Sequence, residues 1–196
     1  MPVTPNHRRT RGVALAVIGA ILCALTVAPL EATPRAPQHS DPLHLTRLVH
    51  RLRLQRTGAL VRPATPGTLQ RAHNDCAITV VERLYDDAGQ PRPDRETLAR
   101  TLALGARGVA LPDLASALTR LGWPAVVSRT VGDSVATALR PPAIALVRPG
   151  HYVLVTRVTA THAEYFDPLI GQVTEPLPPF AARWTGKSVQ LSTRDR

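Results

Sequence analysis

The spacing of apolar residues changes along the chain, and the changes predict where helices give way to strands. Residues 13–30 form a near-continuous apolar run. Leu45, Leu48, Val49 and Leu52 then recur three and four positions apart among Arg47, Arg51, Arg53 and Arg56, which predicts a short basic amphipathic helix. Ala77, Val80, Val81 and Leu84 repeat the spacing and mark one face of a helix that begins at Cys76, with Asn74 or Asp75 as the expected cap. Residues 95–104 read as a further helix ended by Gly105. Pro112 opens another at its first position, with Leu114, Ala117, Leu118 and Leu121 inward and Gly122 at its end. Beyond it, β-rich runs at 125–128, 143–147, 152–158, 163–166 and 188–191 are broken by Gly and Pro. Residues 135–139 read as a helical turn. Helices first and strands later predict an α+β fold with an antiparallel sheet.

The first apolar run follows Arg8, Arg9 and Arg11. A basic flank and then an apolar stretch is the order of an export signal, and Ala32 suits a small-residue cleavage site. The run is also near the ~18 residues that a spanning helix needs. Residues 1–32 are therefore read as a signal peptide or an uncleaved N-terminal membrane anchor. Both alternatives place the remainder outside the cytoplasm, in the periplasm or held at the inner membrane facing it. Residues 33–62 read as a polar linker followed by the basic helix. That helix suits an anionic membrane surface, a spacer, a pro-segment over a cleft, or a helix docked on the domain with a solvated arginine face. Pro63 and Pro66 mark the start of the domain proper, residues 63–196.

Composition narrows the function classes. The chain has 196 residues and 44% apolar content, enough for one globular domain plus an extra segment. The net charge of +10 suggests a nucleic-acid partner, but its distribution excludes one. Residues 1–62 hold nine Lys/Arg against two Asp/Glu, whereas residues 63–196 hold fifteen against twelve, nearly balanced. The chain has two cysteines, Cys23 in the apolar run and Cys76 alone in the domain, so no disulfide framework exists there. No His/Cys cluster has metal-ligand spacing, no phosphate-binding glycine loop is present, and no metal or cofactor is expected.

A lone thiol outside the cytoplasm is open to oxidation, which makes Cys76 a candidate nucleophile. A cysteine nucleophile needs a stabilised thiolate, a base and oxyanion donors. The start of a helix supplies the first, because its dipole favours an anion. His151 follows Pro149-Gly150 and opens the strongest strand, where it can point into a cleft as the base. Asp167 ends the next strand before Pro168, and antiparallel pairing brings it near His151 to orient the imidazole. Gln70, six residues before Cys76, can lend an amide to the oxyanion hole together with the Cys76 backbone N–H. The remaining histidines are poorer candidates. His7, His39, His44 and His50 are expected outside the domain, His162 in a hairpin turn, and His73 on the loop ahead of the helix.

Gln70 to Cys76, Gln-Arg-Ala-His-Asn-Asp-Cys, resembles the nucleophile motif of the bacteriocin-processing, or double-glycine, cysteine peptidases. Gly-His-Tyr-Val-Leu-Val from Gly150 resembles the histidine strand of that family. Phe-Asp-Pro-Leu-Ile-Gly from Phe166 resembles its aspartate turn, and the stretch from Phe180 through Trp184-Thr185-Gly186 its C-terminal part. The resemblance covers roughly residues 68–191. It implies a papain-like fold, with Cys76 as nucleophile, His151 as base and acid, Asp167 as orienter and Gln70 as oxyanion donor. It also implies a peptide or protein substrate, cut after a Gly-Gly pair in relatives that form part of peptide exporters. Ala77 departs from the family glycine after the cysteine. The expected activity is thiol-dependent cleavage of an exported peptide or protein. A non-cleaving peptide-binding module and a cell-wall cysteine hydrolase are the alternatives. Oligomeric state is not legible.

Overall fold

The helices form where apolar spacing and end signals agree. The computed structural model describes residues 41–130 and 134–192, so the apolar run, Cys23 and most of the linker lie outside the described residues. Helix α1 spans His44–Arg56, α2 Cys76–Asp87, α3 Arg95–Thr101 and α4 Leu111–Arg120. Helix α3 stops earlier than its pattern predicts, because Ala103 takes a left-handed φ of 51°. The N–H of Leu104 then reaches back to Ala99 and that of Ala103 to Arg100, the closing bonds of a Schellman motif. Gly122, at φ 82°, ends α4 by the same device without the steric cost. Pro112 sits in the first turn of α4, one residue inside its start.

The strands are β1 (Leu60–Pro63), β2 (Ala125–Arg129), β3 (Ala143–Val147), β4 (His151–Val158), β5 (His162–Asp167), β6 (Gly171–Pro176) and β7 (Trp184–Leu191). They form one antiparallel sheet of seven strands in the order β1-β6-β5-β4-β3-β7-β2. A short helix α5 (Val135–Ala138) precedes β3, and α6 (Leu177–Arg183) joins β6 to β7. Strands β1 and β6 and helix α6 escape the sequence pattern. The proline and arginine of β1 read as linker, and β6 lacks an apolar run. The prolines of α6 read as breakers, although they stand in its first turn, where proline is tolerated.

Strand alternation divides the interior. Ile144, Tyr152, Leu154 and Phe166 pack against Val80, Val81, Leu84, Leu114 and Leu118 of α2 and α4. Ala143, Ala145, Val153, Val155 and Tyr165 face the other way, toward Phe180 of α6 and Leu43 and Leu54 at the two ends of α1. On this second face Glu175 is fully buried. It pairs with Arg183 at 2.6 Å and accepts the Tyr165 hydroxyl at 2.8 Å. Among the described residues no helix is long and apolar enough to cross a membrane.

Helix α1 docks differently from its amphipathic pattern. Leu45, Leu48, Val49 and Leu52 are exposed rather than turned inward. Only its apolar ends, Leu43 and Leu54, are buried. Arg47 and His50, three apart and so on one face, are turned to the protein.

Candidate active site

Cys76 is the first residue of α2 and is free and buried, with 7% of its surface exposed. The expected caps do not form. Asn74 donates its side-chain amide to the Gly105 carbonyl at 2.9 Å. Asp75 accepts the Arg71 backbone N–H at 3.1 Å and pairs with Arg95. Its charge is thereby matched by a guanidinium rather than left bare beside the thiol. Arg95 also pairs with Glu82, which ties α3 to α2.

His151 opens β4 and Asp167 closes β5, so antiparallel pairing brings them to the same end of the sheet. His151 Nε2 lies 2.9 Å from Asp167 Oδ1, which also accepts the Leu169 backbone N–H at 2.9 Å. Burial favours the neutral imidazole. The Asp167 carboxylate, and then the nearby Cys76 sulfur, outweigh it and push His151 up to about 10. Burial alone would raise the Asp167 carboxyl, but His151 and then His50 hold it well below the usual carboxylate range. With Nε2 on Asp167, the ring nitrogen left for the thiol is Nδ1.

Gln70 is buried and held by its backbone, with its N–H on the Pro168 carbonyl at 2.9 Å. Its side-chain amide donates to Ala72 O at 3.0 Å, while Oε1 has no partner among the described residues. An amide nitrogen carries two hydrogens, so Ala72 O takes up one of the two Gln70 N–H groups. Tyr152, next to His151, faces the helices and donates its hydroxyl to Val109 O at 2.9 Å. Burial, then the nearby Cys76 and Asp113, push its phenol up to about 12, so it takes no part in acid–base chemistry near neutral pH.

The sequence did not point to His50. Placed outside the domain by its position, it lies in the site. Its Nε2 is 2.8 Å from Asp167 Oδ2, and its ring meets that of His151 edge to face with centroids 5.9 Å apart. The only available signal was its place three residues after Arg47 on a helix of unknown docking face. His50, Gln70, His73 and His151 line a cleft of about 500 Å³, together with Val49 and Arg53 of α1. His162 stands at the exposed start of β5 and bonds Thr161, away from the cleft.

His50, His151 and Asp167 bring three possible ligand atoms within 4.8 Å of one another, a grouping that sequence spacing did not predict. Each imidazole nitrogen, however, sits at hydrogen-bond distance from its own carboxylate oxygen. These are the spacings of a hydrogen-bonded relay from imidazole to carboxylate to imidazole.

Helices packed on an antiparallel sheet, with a thiol at a helix start facing an imidazole and a buried carboxylate, define a cysteine peptidase of papain-like fold. The family model of the peptidase C39 family matches residues 65–196. The chain belongs to that family. Three solved structures are similar. One is a double glycine motif protease from an AMS/PCAT transporter, in complex with the leader peptide, at TM-score 0.57 and 17% identity over 69% of this chain and 93% of that one. Another is the peptidase domain of Streptococcus ComA, a bi-functional ABC transporter involved in a quorum sensing pathway, at 0.55 and 18% over 64% and 96%. The third is the N-terminal peptidase C39-like domain of the toxin secretion ATP-binding protein from Vibrio parahaemolyticus, at 0.52 and 19% over 63% and 100%. At these identities the likeness is one of fold. No curated protein matches the sequence.

Proposed function

We propose that this peptidase cuts its substrate by a Cys76–His151–Asp167 mechanism. The observation that carries the reading is the fully buried Asp167 carboxylate bonded to His151 at 2.9 Å, with Cys76 at the start of α2 near enough to raise His151. With His151 raised to about 10 its ring already holds the Nδ1 proton near neutral pH, paired with the sulfur, and Sγ attacks the scissile carbonyl carbon. The oxyanion forms against the Cys76 backbone N–H and the free N–H of Gln70. His151 then gives its proton to the leaving amine, and the C–N bond breaks to leave a thioester on Cys76. Water, deprotonated by the same ring, attacks the thioester and restores the thiol. Asp167 holds the imidazole in one tautomer throughout and offsets its charge when it is protonated.

The substrate in this reading is an extended peptide lying in the cleft beside His151. A peptide carrying a Gly-Gly pair is the first to test, because one similar structure is a double glycine motif protease bound to a leader. The test is mass-spectrometric detection of cleavage in a panel of such peptides and unrelated ones. The protein should give products that vanish with iodoacetamide, and Cys76→Ala should give none. Products from Cys76→Ala at the parent rate would remove Cys76 from the mechanism. Peptide binding without any product from the parent chain would favour a non-cleaving module.

A further inference from the structure

Helix α1 lies ahead of the residues that match the family model, which begin at 65. It nevertheless touches two of the four residues given roles above. His50 Nε2 meets Asp167 Oδ2 at 2.8 Å, and Arg47 Nη2 donates to the backbone carbonyl of Gln70 at 2.6 Å. These contacts come from one face of one helix, three residues apart.

Their chemistry is specific. An ionised carboxylate only accepts hydrogen bonds, so His50 must present Nε2 with its proton. Asp167 has no exposed surface, and its Oδ1 is occupied by His151 and Leu169. Among the described residues, Oδ2 is held by His50 alone. Removing that donor leaves one oxygen of a buried carboxylate without a protein partner, and the carboxylate is free to rotate toward any other donor. Rotation about its last torsion would carry Oδ1 away from His151 and with it the direction of the imidazole.

Packing alone does not explain the arrangement. A helix docked only for burial would turn its leucine row inward and its polar row to water. Helix α1 does the reverse over its middle: Leu45, Leu48 and Leu52 are exposed, while Arg47 and His50 reach the site. Its apolar anchoring is confined to Leu43 and Leu54 at the ends. His50 is not itself the base, because its Nε2 is occupied by Asp167 Oδ2 and it is His151 that feels the Cys76 sulfur.

We propose that helix α1 is a working part of the active site, in which His50 fixes the Asp167 carboxylate, and through it the His151 ring, while Arg47 fixes the backbone of Gln70. The proposal rests on the reading of Asp167 as the group that orients His151. His50 is a positioning residue: it acts on turnover through Asp167 and touches no reacting atom.

The test compares His50→Gln with His50→Asn in the full chain. Both are neutral amides, but the glutamine nitrogen can reach Oδ2 and the shorter asparagine nitrogen cannot. Three quantities are read at pH 7: kcat and KM on a cleaved peptide, the rate of Cys76 alkylation by iodoacetamide, and the thermal midpoint. The small alkylating reagent needs none of the peptide cleft. Asparagine should lower kcat and the alkylation rate by about tenfold or more, with KM within about twofold, and glutamine should restore most of both. Arg47→Met should lower kcat with little change in alkylation, since Gln70 serves the oxyanion and not the thiol. If both His50 variants keep the parent's kcat and alkylation rate and differ only in thermal midpoint, His50 is merely structural and the proposal fails. If His50→Asn does not fold, a His50→Gln protein that folds and alkylates as slowly as free cysteine also overturns it. A parent thiol that itself reacts like free cysteine defeats the Cys76 mechanism and this proposal together, and that failure shows in the parent rather than in the variants.

Discussion

Replacing Asp167 by asparagine isolates the effect of its charge on His151. The amide has the shape of the carboxylate. Its oxygen can stay in the place of Oδ1, accepting from Leu169 and His151, and its nitrogen can take the place of Oδ2 opposite His50, which then accepts in its other tautomer. The fold is thus kept and the charge is lost. In the native site burial pulls His151 below its usual 6.5, and Asp167 and then Cys76 push it to about 10. Without the carboxylate the larger of the raising causes is gone and burial remains. The midpoint of His151 should therefore fall from about 10 to near or below 6.5. Histidine-ring NMR of 15N-labelled protein reads the midpoint directly, with His151→Gln supplying the assignment. A midpoint within about half a unit of the parent's would refute the charge as the cause.

Stability follows with a definite sign. A raised His151 contributes fully below pH 6.5 and loses its contribution as pH rises through about 10. A lowered Asp167 contributes above 3.8 and loses it as pH falls through its folded value. The stability gap between parent and Asp167→Asn should be widest between pH 3.8 and 6.5 and narrow as pH rises through about 10.

Two further predictions concern the frame that holds the site. Arg183→Met strips the buried Glu175 of its guanidinium partner and should cost about 3–5 kcal/mol in urea unfolding, whereas a loss under about 1 kcal/mol would show that the pair is screened. At Gly171→Ala, a Cβ would stand 2.4 Å from the Ala64 nitrogen and 2.6 Å from the Arg62 carbonyl oxygen, at a φ of 109°. Both neighbours are backbone, so the variant should lose about 2 kcal/mol or more and loosen β1 from β6; an unfolding midpoint equal to the parent's would contradict this.

The parts of the site legible in the sequence were those with a local signature. Cys76 begins a run of helical spacing, His151 follows a Pro-Gly pair into an apolar strand, and Asp167 precedes a proline at a strand end. Strand adjacency then implied the contact between the last two. His50 was illegible because its meaning depends on which face of α1 turns inward, and the leucine row pointed to the wrong one. Tertiary hydrogen bonds to Gln70 and Asp167 decided the matter. Asp75 misled for a similar reason: capping is the local option, and Arg95 from the next helix offered a charged partner instead. Strand β6 hid because its buried positions include Glu175, whose place inside is intelligible only once Arg183 and Tyr165 are beside it.

The link between His50 and Asp167 joins residues 117 positions apart, and β1 finds its partner only in β6. Such closures are slow and come late, because the entropy of a large loop must be overcome before its contacts form. As the chain is made, α1 and Cys76 emerge long before β4, β5 and β6 exist. The emerging polypeptide therefore carries Cys76 before His151 and Asp167 have been made. In the proposed mechanism the three groups can meet only on a chain made through the end of β5, so the order of synthesis delays their assembly.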